Sequence, residues 1–372
     1  MHTPNPTITD PPPGPEPAHA HAPMLPVALS FGDAAGIGPE IIVKAFADAD
    51  FIGRHPAFVV GDAAVLRRAA VRWAPALRVE TIATPERHRP GTTGLLQVVD
   101  VGGVPIELPP GRISAAAGRA AFEAVRQAIT WASAGRIGAL CTAPIHKEAL
   151  AAAGVPYPGH TEMLAELSGT PDVGMMLVTP RLRTLLVTVH CALAEALRRL
   201  SVPLELRIIR LAHRSLQSMG IARPRIAVAG LNPHAGEGGL FGREDLDVIA
   251  PAVAQARAEG LDVVGPLPGD TVFMHALKGR YDIVVAQFHD QGLIPVKLLG
   301  VDDGVNITAG LPFVRTSPDH GTAFDIAGQG LADPASLKTA LAMAHQLVRA
   351  RVVHAAGVAG IAGAASLAGS SD

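Results

Sequence analysis

Three histidines occupy positions where metal chemistry is plausible. His190 follows the apolar run Arg183 to Val189, His234 lies in Asn232-Pro233-His234-Ala235-Gly236-Glu237-Gly238-Gly239, and His289 opens His289-Asp290-Gln291-Gly292 after the run Asp282 to Gln287. Three imidazole nitrogens suit a catalytic zinc or related ion that keeps one position open for a substrate oxygen. Each histidine taken singly equally suits a hydrogen-bonded scaffold role. Asp270 and Asp290 are the neighbouring carboxylates, able to orient an imidazole, ligate a metal or accept a proton. For Asp270, in Gly265-Pro266-Leu267-Pro268-Gly269-Asp270-Thr271, capping of a following helix is an equal alternative. Lys297 and Arg315 stand among turn residues and could hold a phosphate or carboxylate, with Asn306 and Thr161 adding neutral hydrogen bonds. Either cation could instead be a surface salt-bridge partner.

Other chemistries find less support. Cys141 closes an apolar strand, but the sequence places no base or orienting group beside it, so a structural thiol is expected. No Gly-x-Ser-x-Gly elbow is present. The stretch Gly32-Asp33-Ala34-Ala35-Gly36-Ile37-Gly38-Pro39-Glu40 leads from a strand into a helix, where open α/β sheets place ligand loops. Its glycines do not have the dinucleotide-fingerprint spacing, and the Lys-Ser/Thr of a P-loop is missing. A tight turn with Pro39 at the first helical position is the alternative.

The elements that must carry these residues alternate. Val27 to Phe31, Ala57 to Val60, Ile137 to Cys141, Arg183 to Val189, Arg225 to Ala229 and Asp282 to Gln287 read as strands. Pro39 to Ala47, Ser114 to Ala134, Thr161 to Leu167, Leu193 to Ile209 and Leu246 to Glu259 read as helices. This order predicts an α/β fold with a largely parallel sheet, whose strand ends would bring the three histidines to one edge.

The 372 residues are enough for two domains. Lys+Arg 31 against Asp+Glu 33 leaves no global attraction to nucleic acid or an acidic membrane. Trp73 and Trp131 are the sole tryptophans, giving no stacking platform for single strands. Two cysteines fit a reducing compartment, and the absence of Lys or Arg before Lys44 argues against a secretory signal, so a soluble cytoplasmic protein is expected. Residues 1–24, rich in Pro and His, are expected to be a disordered tail, with Met24 suitably placed for a translation start. Residues 357–372 are expected to be a second loose tail.

Taken together, the motifs resemble the 4-hydroxythreonine-4-phosphate dehydrogenase family of vitamin B6 biosynthesis. The resemblance runs from about Val27 to His345 and rests on the Gly32–Glu40 loop, Thr142-Ala143-Pro144-Ile145-His146-Lys147, Gly159-His160-Thr161-Glu162, Leu231 to Gly239, Gly265 to Thr271, His289 to Gly292, Val305 to Arg315 and Asp319-His320-Gly321-Thr322-Ala323. It implies an isocitrate/isopropylmalate dehydrogenase-like α/β fold of two domains with the active site in their cleft. Residues 25–150 plus 315–356 would form the first domain, and 151–314 the second, with dimer contacts.

The resemblance also implies roles. His190, His234 and His289 match metal ligands for one divalent ion (Zn²⁺, Mg²⁺ or Co²⁺) per site, His289 coming from the opposite subunit of a homodimer. His160, Thr161, Lys297, Asn306 and Arg315 match substrate-binding positions, and Asp270 and Asp290 match acidic positions close to the metal. Asp319, His320, Gly321, Asp325 and Gly328 resemble the nucleotide loop of the wider fold, so NAD or NADP is the expected cofactor. Lys297 or Asp290 would be base or proton relay. The implied reaction oxidises 4-phosphohydroxy-L-threonine to 2-amino-3-oxo-4-(phosphooxy)butanoate, which decarboxylates to 3-amino-2-oxopropyl phosphate. Ala34 replaces a proline common in the family, and Gln287 to Leu298 resembles a branch acting on D-threonate or D-erythronate 4-phosphate. A metal-dependent, non-redox sugar-phosphate isomerase is the alternative from another class.

Overall fold

The computed structural model describes residues 24–300 and 304–368, with side chains to 353. The expectation of a tail at 1–24 falls, but for Met24, outside the described residues. A twelve-stranded sheet runs through the molecule. Its strands are β1 (Val27–Ser30), β2 (Ala57–Gly61), β3 (Arg78–Thr81), β4 (Leu95–Asp100), β5 (Ala139–Thr142), β6 (Gly174–Val178), β7 (Arg183–Leu186), β8 (Ile226–Ala229), β9 (Val263–Leu267), β10 (Ile283–Ala286), β11 (Val305–Ala309) and β12 (Val314–Pro318). The spatial order is β3-β4-β2-β1-β5-β12-β11-β6-β7-β10-β8-β9.

Two parallel lobes result. From β3 to β12 all neighbours pair parallel, and so do β7, β10, β8 and β9. Between the lobes, β11 and β6 make three antiparallel joints. The molecule is therefore a two-lobed α/β fold, with a cleft over the seam. Strands β1, β2 and β5 are buried along their whole length, which is why they read as unbroken apolar runs: helices cover both faces of a parallel sheet.

Local chemistry fixes the helices that frame the cleft. Ser114 caps Ala115–Ser133 by accepting from Ala117 N (3.3 Å). On that helix a side chain at Gly118 would collide with Ala149 O, so the glycine lets the short helix Lys147–Ala152 lie directly against it. The C-terminal helix, Ala335–Ala368, packs along β12. Its backbone continues through the segment expected to be loose from 357, where alanine, the best helix former, recurs; residues 369–372 lie outside the described residues.

Candidate active site

A cavity of about 600 Å³ opens over the seam, and both lobes line it. From the first lobe come Thr142, at the end of β5, and Lys147, at the start of the next helix. His160, Thr161 and Glu162 enter from the first turn of the helix His160–Leu167. The seam strands supply Asn306 from β11 and Arg315 and Ser317 from β12, and the chain beyond β12 adds Asp319, His320 and Gly321. Lys297 reaches in from the helix His289–Leu298.

Arg315 sets the electrostatics. It is 3 % exposed, donating to Thr142 Oγ1 (2.7 Å) and Thr308 Oγ1 (3.2 Å), and its Nε has no partner. No carboxylate pairs with it among the described residues. Burial lowers its pKa to about 10, so it stays charged at neutral pH. His160 presents an unpartnered Nε2, and its pKa is held well below the usual imidazole range, first by burial and then by the charge of Arg315. A buried guanidinium without a counter-ion, beside a neutral imidazole and two lysines, is a site built for an anion. Lys297 Nζ lies 3.2 Å from Asp319 Oδ2, an ion pair between residues expected to serve proton transfer and cofactor binding separately.

His190 and His289 stand at one edge of this cavity with ring centroids 5.6 Å apart, and they also line an outer cavity of about 480 Å³ shared with Asp290 and Leu193. Nδ1 of His289 donates to Asp290 Oδ1 (2.7 Å), which leaves Nε2 as its free nitrogen. Desolvation, Lys147 and His289 together lower the pKa of His190, favouring the neutral, ligating form. The pair fits two positions of a divalent-metal site. Among the described residues no third His, Cys, Asp or Glu completes it within the chain.

Within this chain His289, expected from a second subunit, stands beside His190, because β7 and β10 are neighbours and their following residues meet. His234 instead sits exposed on Pro233–Gly239, a loop in which five successive residues, His234 to Gly238, have positive φ. Asp245 anchors the loop, accepting from Leu231 N (2.8 Å), Asn232 N (3.1 Å) and Asn232 Nδ2 (3.0 Å). Asp270 lines neither cavity; it is exposed in the first turn of Gly269–Leu277, with Pro268 rather than Asp270 at the cap. Of the expected nucleotide residues, Asp319, His320 and Gly321 face the main cavity, Gly328 lines a separate one, and Asp325 is exposed between them. Cys141 is fully buried with its thiol pushed up to about 12, an inert group. Sequence reasoning assigned no role to Lys147, Glu162 or Thr142, although Lys147 follows a strand end as the histidines do.

The family profile described as "Pyridoxal phosphate biosynthetic protein PdxA" matches residues 54–344. The chain belongs to the PdxA family. It is 54 % identical over 326 residues to the 4-hydroxythreonine-4-phosphate dehydrogenase of Beijerinckia indica, covering 87 % of this chain and 95 % of that one. It is 50 % identical over 326 residues to the D-threonate 4-phosphate dehydrogenase of Cupriavidus necator, covering 87 % and 98 %. Among solved structures, the 4-hydroxythreonine-4-phosphate dehydrogenase of Klebsiella pneumoniae superposes with a TM-score of 0.83 at 47 % identity, covering 88 % of this chain and 99 % of that one. This PdxA-family chain has no helix, among the described residues, long and apolar enough to cross a membrane.

Proposed function

We propose that the chain is an NAD(P)- and divalent-metal-dependent dehydrogenase that oxidises the secondary hydroxyl of a four-carbon, 4-phosphorylated hydroxy-acid and then releases carbon dioxide. The buried, carboxylate-free Arg315 carries this reading, because it requires an anionic ligand in a cavity whose rim holds two metal-ligating imidazoles. Arg315, His160 and Lys147 hold the anionic end of the substrate, with Thr142 and Thr308 fixing the guanidinium. Lys297 and Asp319, paired at 3.2 Å, are the groups that would relay the hydroxyl proton, Lys297 receiving it as its own proton passes to Asp319, and the nicotinamide would supply the hydride acceptor. Asp290 orients His289 rather than acting as base, since it touches that ring and faces the outer cavity. His190 and His289 would hold a divalent ion, which would supply Lewis acidity beside the substrate.

The third ligand is His234 of a second copy, and the active unit is a homodimer. The elements that carry His234 and Asp270 pack against each other, and both residues are exposed. Around the outer cavity and the His234 loop lie Leu193 (61 % exposed), Leu240 (74 %) and Phe241 (46 %), an apolar surface suited to a second copy.

Two substrates share this chemistry. 4-Phosphohydroxy-L-threonine would give 2-amino-3-oxo-4-(phosphooxy)butanoate and then 3-amino-2-oxopropyl phosphate, its amine meeting Glu162, the carboxylate of the main cavity not engaged by a lysine. D-Threonate 4-phosphate, named in the description of the Cupriavidus relative, lacks the amine. The test is NAD(P)H formation, followed spectrophotometrically with added Mg²⁺, Zn²⁺ or Co²⁺ and both substrates alongside D-erythronate 4-phosphate. Higher kcat/KM on the aminated acid selects the first; preference for a sugar-acid phosphate selects the second. No NAD(P)H with any of them, or isomerisation without reduction, overturns the reading.

A further inference from the structure

A cavity of about 530 Å³, the size of a small-molecule pocket, lies at the edge of the first lobe where its strands begin. Met24, Leu25 and Pro26 lead into β1, and Pro56 leads into β2; Pro85 and Pro90 come from the connection between β3 and β4. These six residues give it apolar walls, four of them the flat rings of proline. The main cavity takes its residues from the other ends of strands, as it takes Thr142 from the end of β5, and the two cavities share no lining residue.

Two imidazoles, His88 and His345, line the same cavity and carry unmet hydrogen-bonding capacity. Gln97 Oε1 accepts from Arg89 N (2.8 Å) and therefore also from His88 Nδ1 (2.9 Å), so the buried Nε2 of His88 is a lone pair, without a partner among the described residues. His345 is 3 % exposed and neither of its ring nitrogens is partnered, leaving one N–H and one further lone pair. His88 is among the groups that hold the pKa of His345 down, so the two rings are neighbours. Burial lowers both, His345 to about 4, and at neutral pH each is uncharged. The one carboxylate of the lining, Glu86, is already held by Arg136 through two hydrogen bonds (2.7 and 2.8 Å). Aromatic rings back the imidazoles: Phe58 stands 5.7 Å from His88 between centroids, and His55 stands 5.6 Å from His345. The lining thus offers flat apolar surface and unsatisfied neutral donors and acceptors, but no uncommitted charge. Buried polar atoms left unpaired are costly, so a molecule that pairs them while covering the apolar walls gains from both.

We propose that this cavity binds an uncharged, flat aromatic molecule bearing a hydroxyl, with its ring among the prolines and its hydroxyl donating to His88 Nε2 and accepting from His345. A hydroxyl answers both imidazoles because it is donor and acceptor at once. A carboxylate or phosphate would meet neutral rings beside the charge of Glu86, and a plain hydrocarbon would leave the nitrogens unpaired. The site is separate from the cleft and does not depend on the dehydrogenase reading.

Binding to the full chain is followed at neutral pH by ligand fluorescence and calorimetry, using 2-naphthol, naphthalene (no hydroxyl) and 2-naphthoate (charged). 2-Naphthol should bind saturably and about tenfold or more tightly than either comparator. His88→Phe keeps a ring against Phe58 and removes the acceptor, so 2-naphthol should fall to the affinity of naphthalene. Leu25→Trp, at a position 45 % exposed, fills the cavity from its rim without entering the core and should weaken 2-naphthol by about tenfold or more, which keeps the test open if His88→Phe does not fold. Arg315→Met alters the main cavity alone and should leave 2-naphthol binding unchanged. No saturable binding of 2-naphthol, equal or tighter binding of naphthalene or 2-naphthoate, a hydroxyl preference that survives in folded His88→Phe, undiminished binding to Leu25→Trp, or loss of binding in Arg315→Met would each overturn the proposal.

Discussion

Replacing Arg315 with methionine should separate activity from stability. The substitution keeps an unbranched side chain of similar length in a site that is 3 % exposed. What it removes from catalysis is the grip on an anion. One free N–H, at Nε, and a share of the terminal amino groups leave room for about two charge-assisted hydrogen bonds, each worth about 1.5–3 kcal/mol. The loss of about 3–6 kcal/mol corresponds to a fall in kcat/KM of roughly 10²- to 10⁴-fold. Stability should move differently. The bonds to Thr142 and Thr308 go, at about 1.5–3 kcal/mol each, but so does a buried charge with no counter-ion, whose desolvation costs several kcal/mol and offsets them. Tm should therefore stay level or rise by a few degrees. The assay is NAD(P)H formation at varied substrate, with inorganic phosphate as competitive inhibitor of the parent and a much weaker one of Arg315→Met, beside a thermal melt. Activity within tenfold of the parent, or a loss of activity accompanied by a collapse in Tm, would refute the idea that this guanidinium waits for an anion.

Three further outcomes follow from the structure. His345 is 3 % exposed, both ring nitrogens lack partners, and burial with the nearby His55, Arg349 and His88 lowers its pKa to about 4. The neutral form is favoured in the fold, so its stability contribution is intact above pH 6.5 and is lost as pH falls toward 4, up to ~3 kcal/mol. Denaturant titrations across that range should show a shallower pH slope for His345→Leu, and an identical slope would contradict this. Glu205 is fully buried with neither carboxylate oxygen partnered, and desolvation raises its pKa to about 8. The parent should lose stability as pH rises from 4.5 to 8, so Glu205→Gln should be the more stable protein at pH 8, by up to ~5 kcal/mol, with the gap closing toward pH 5; a gap that widens on acidification would be the wrong sign. Finally, inactive His190→Ala and His234→Ala chains, unfolded and refolded together, should regain about one quarter of parental activity, because half the dimers would carry one intact site. No recovery would place His234 outside the partner's site.

The sequence displayed the lobes better than the seam. All six expected strands are present as β1, β2, β5, β7, β8 and β10, because burial on both faces leaves a continuous apolar run. β3 is half exposed and shows no such run. β11 and β12 were hidden for a functional reason: Asn306, Thr308, Arg315 and Ser317 interrupt their apolar pattern, and three of these line the main cavity. The expected helix Leu193 to Ile209 divides into Leu193–Arg199 and Val202–Ser218, with Pro203 in the first turn of the second. Pro295 masked the helix His289–Leu298. In the site, strand ends led to His190 and His289, but the left-handed run at His234 turns that residue away in a manner no apolar period encodes. The Lys297–Asp319 pair joins two segments whose proximity depends on the seam, and so could not be read beforehand.

The most direct test of the account compares D-threonate 4-phosphate and 4-phosphohydroxy-L-threonine with their dephosphorylated forms, using chelator-treated enzyme with and without a restored divalent ion, and reading NAD(P)H formation. The account predicts reduction only where both phosphate and metal are present, with kcat/KM for the dephosphorylated acids lower by at least about 10²-fold. Equal turnover of the dephosphorylated acids, or full activity without the ion, would contradict it.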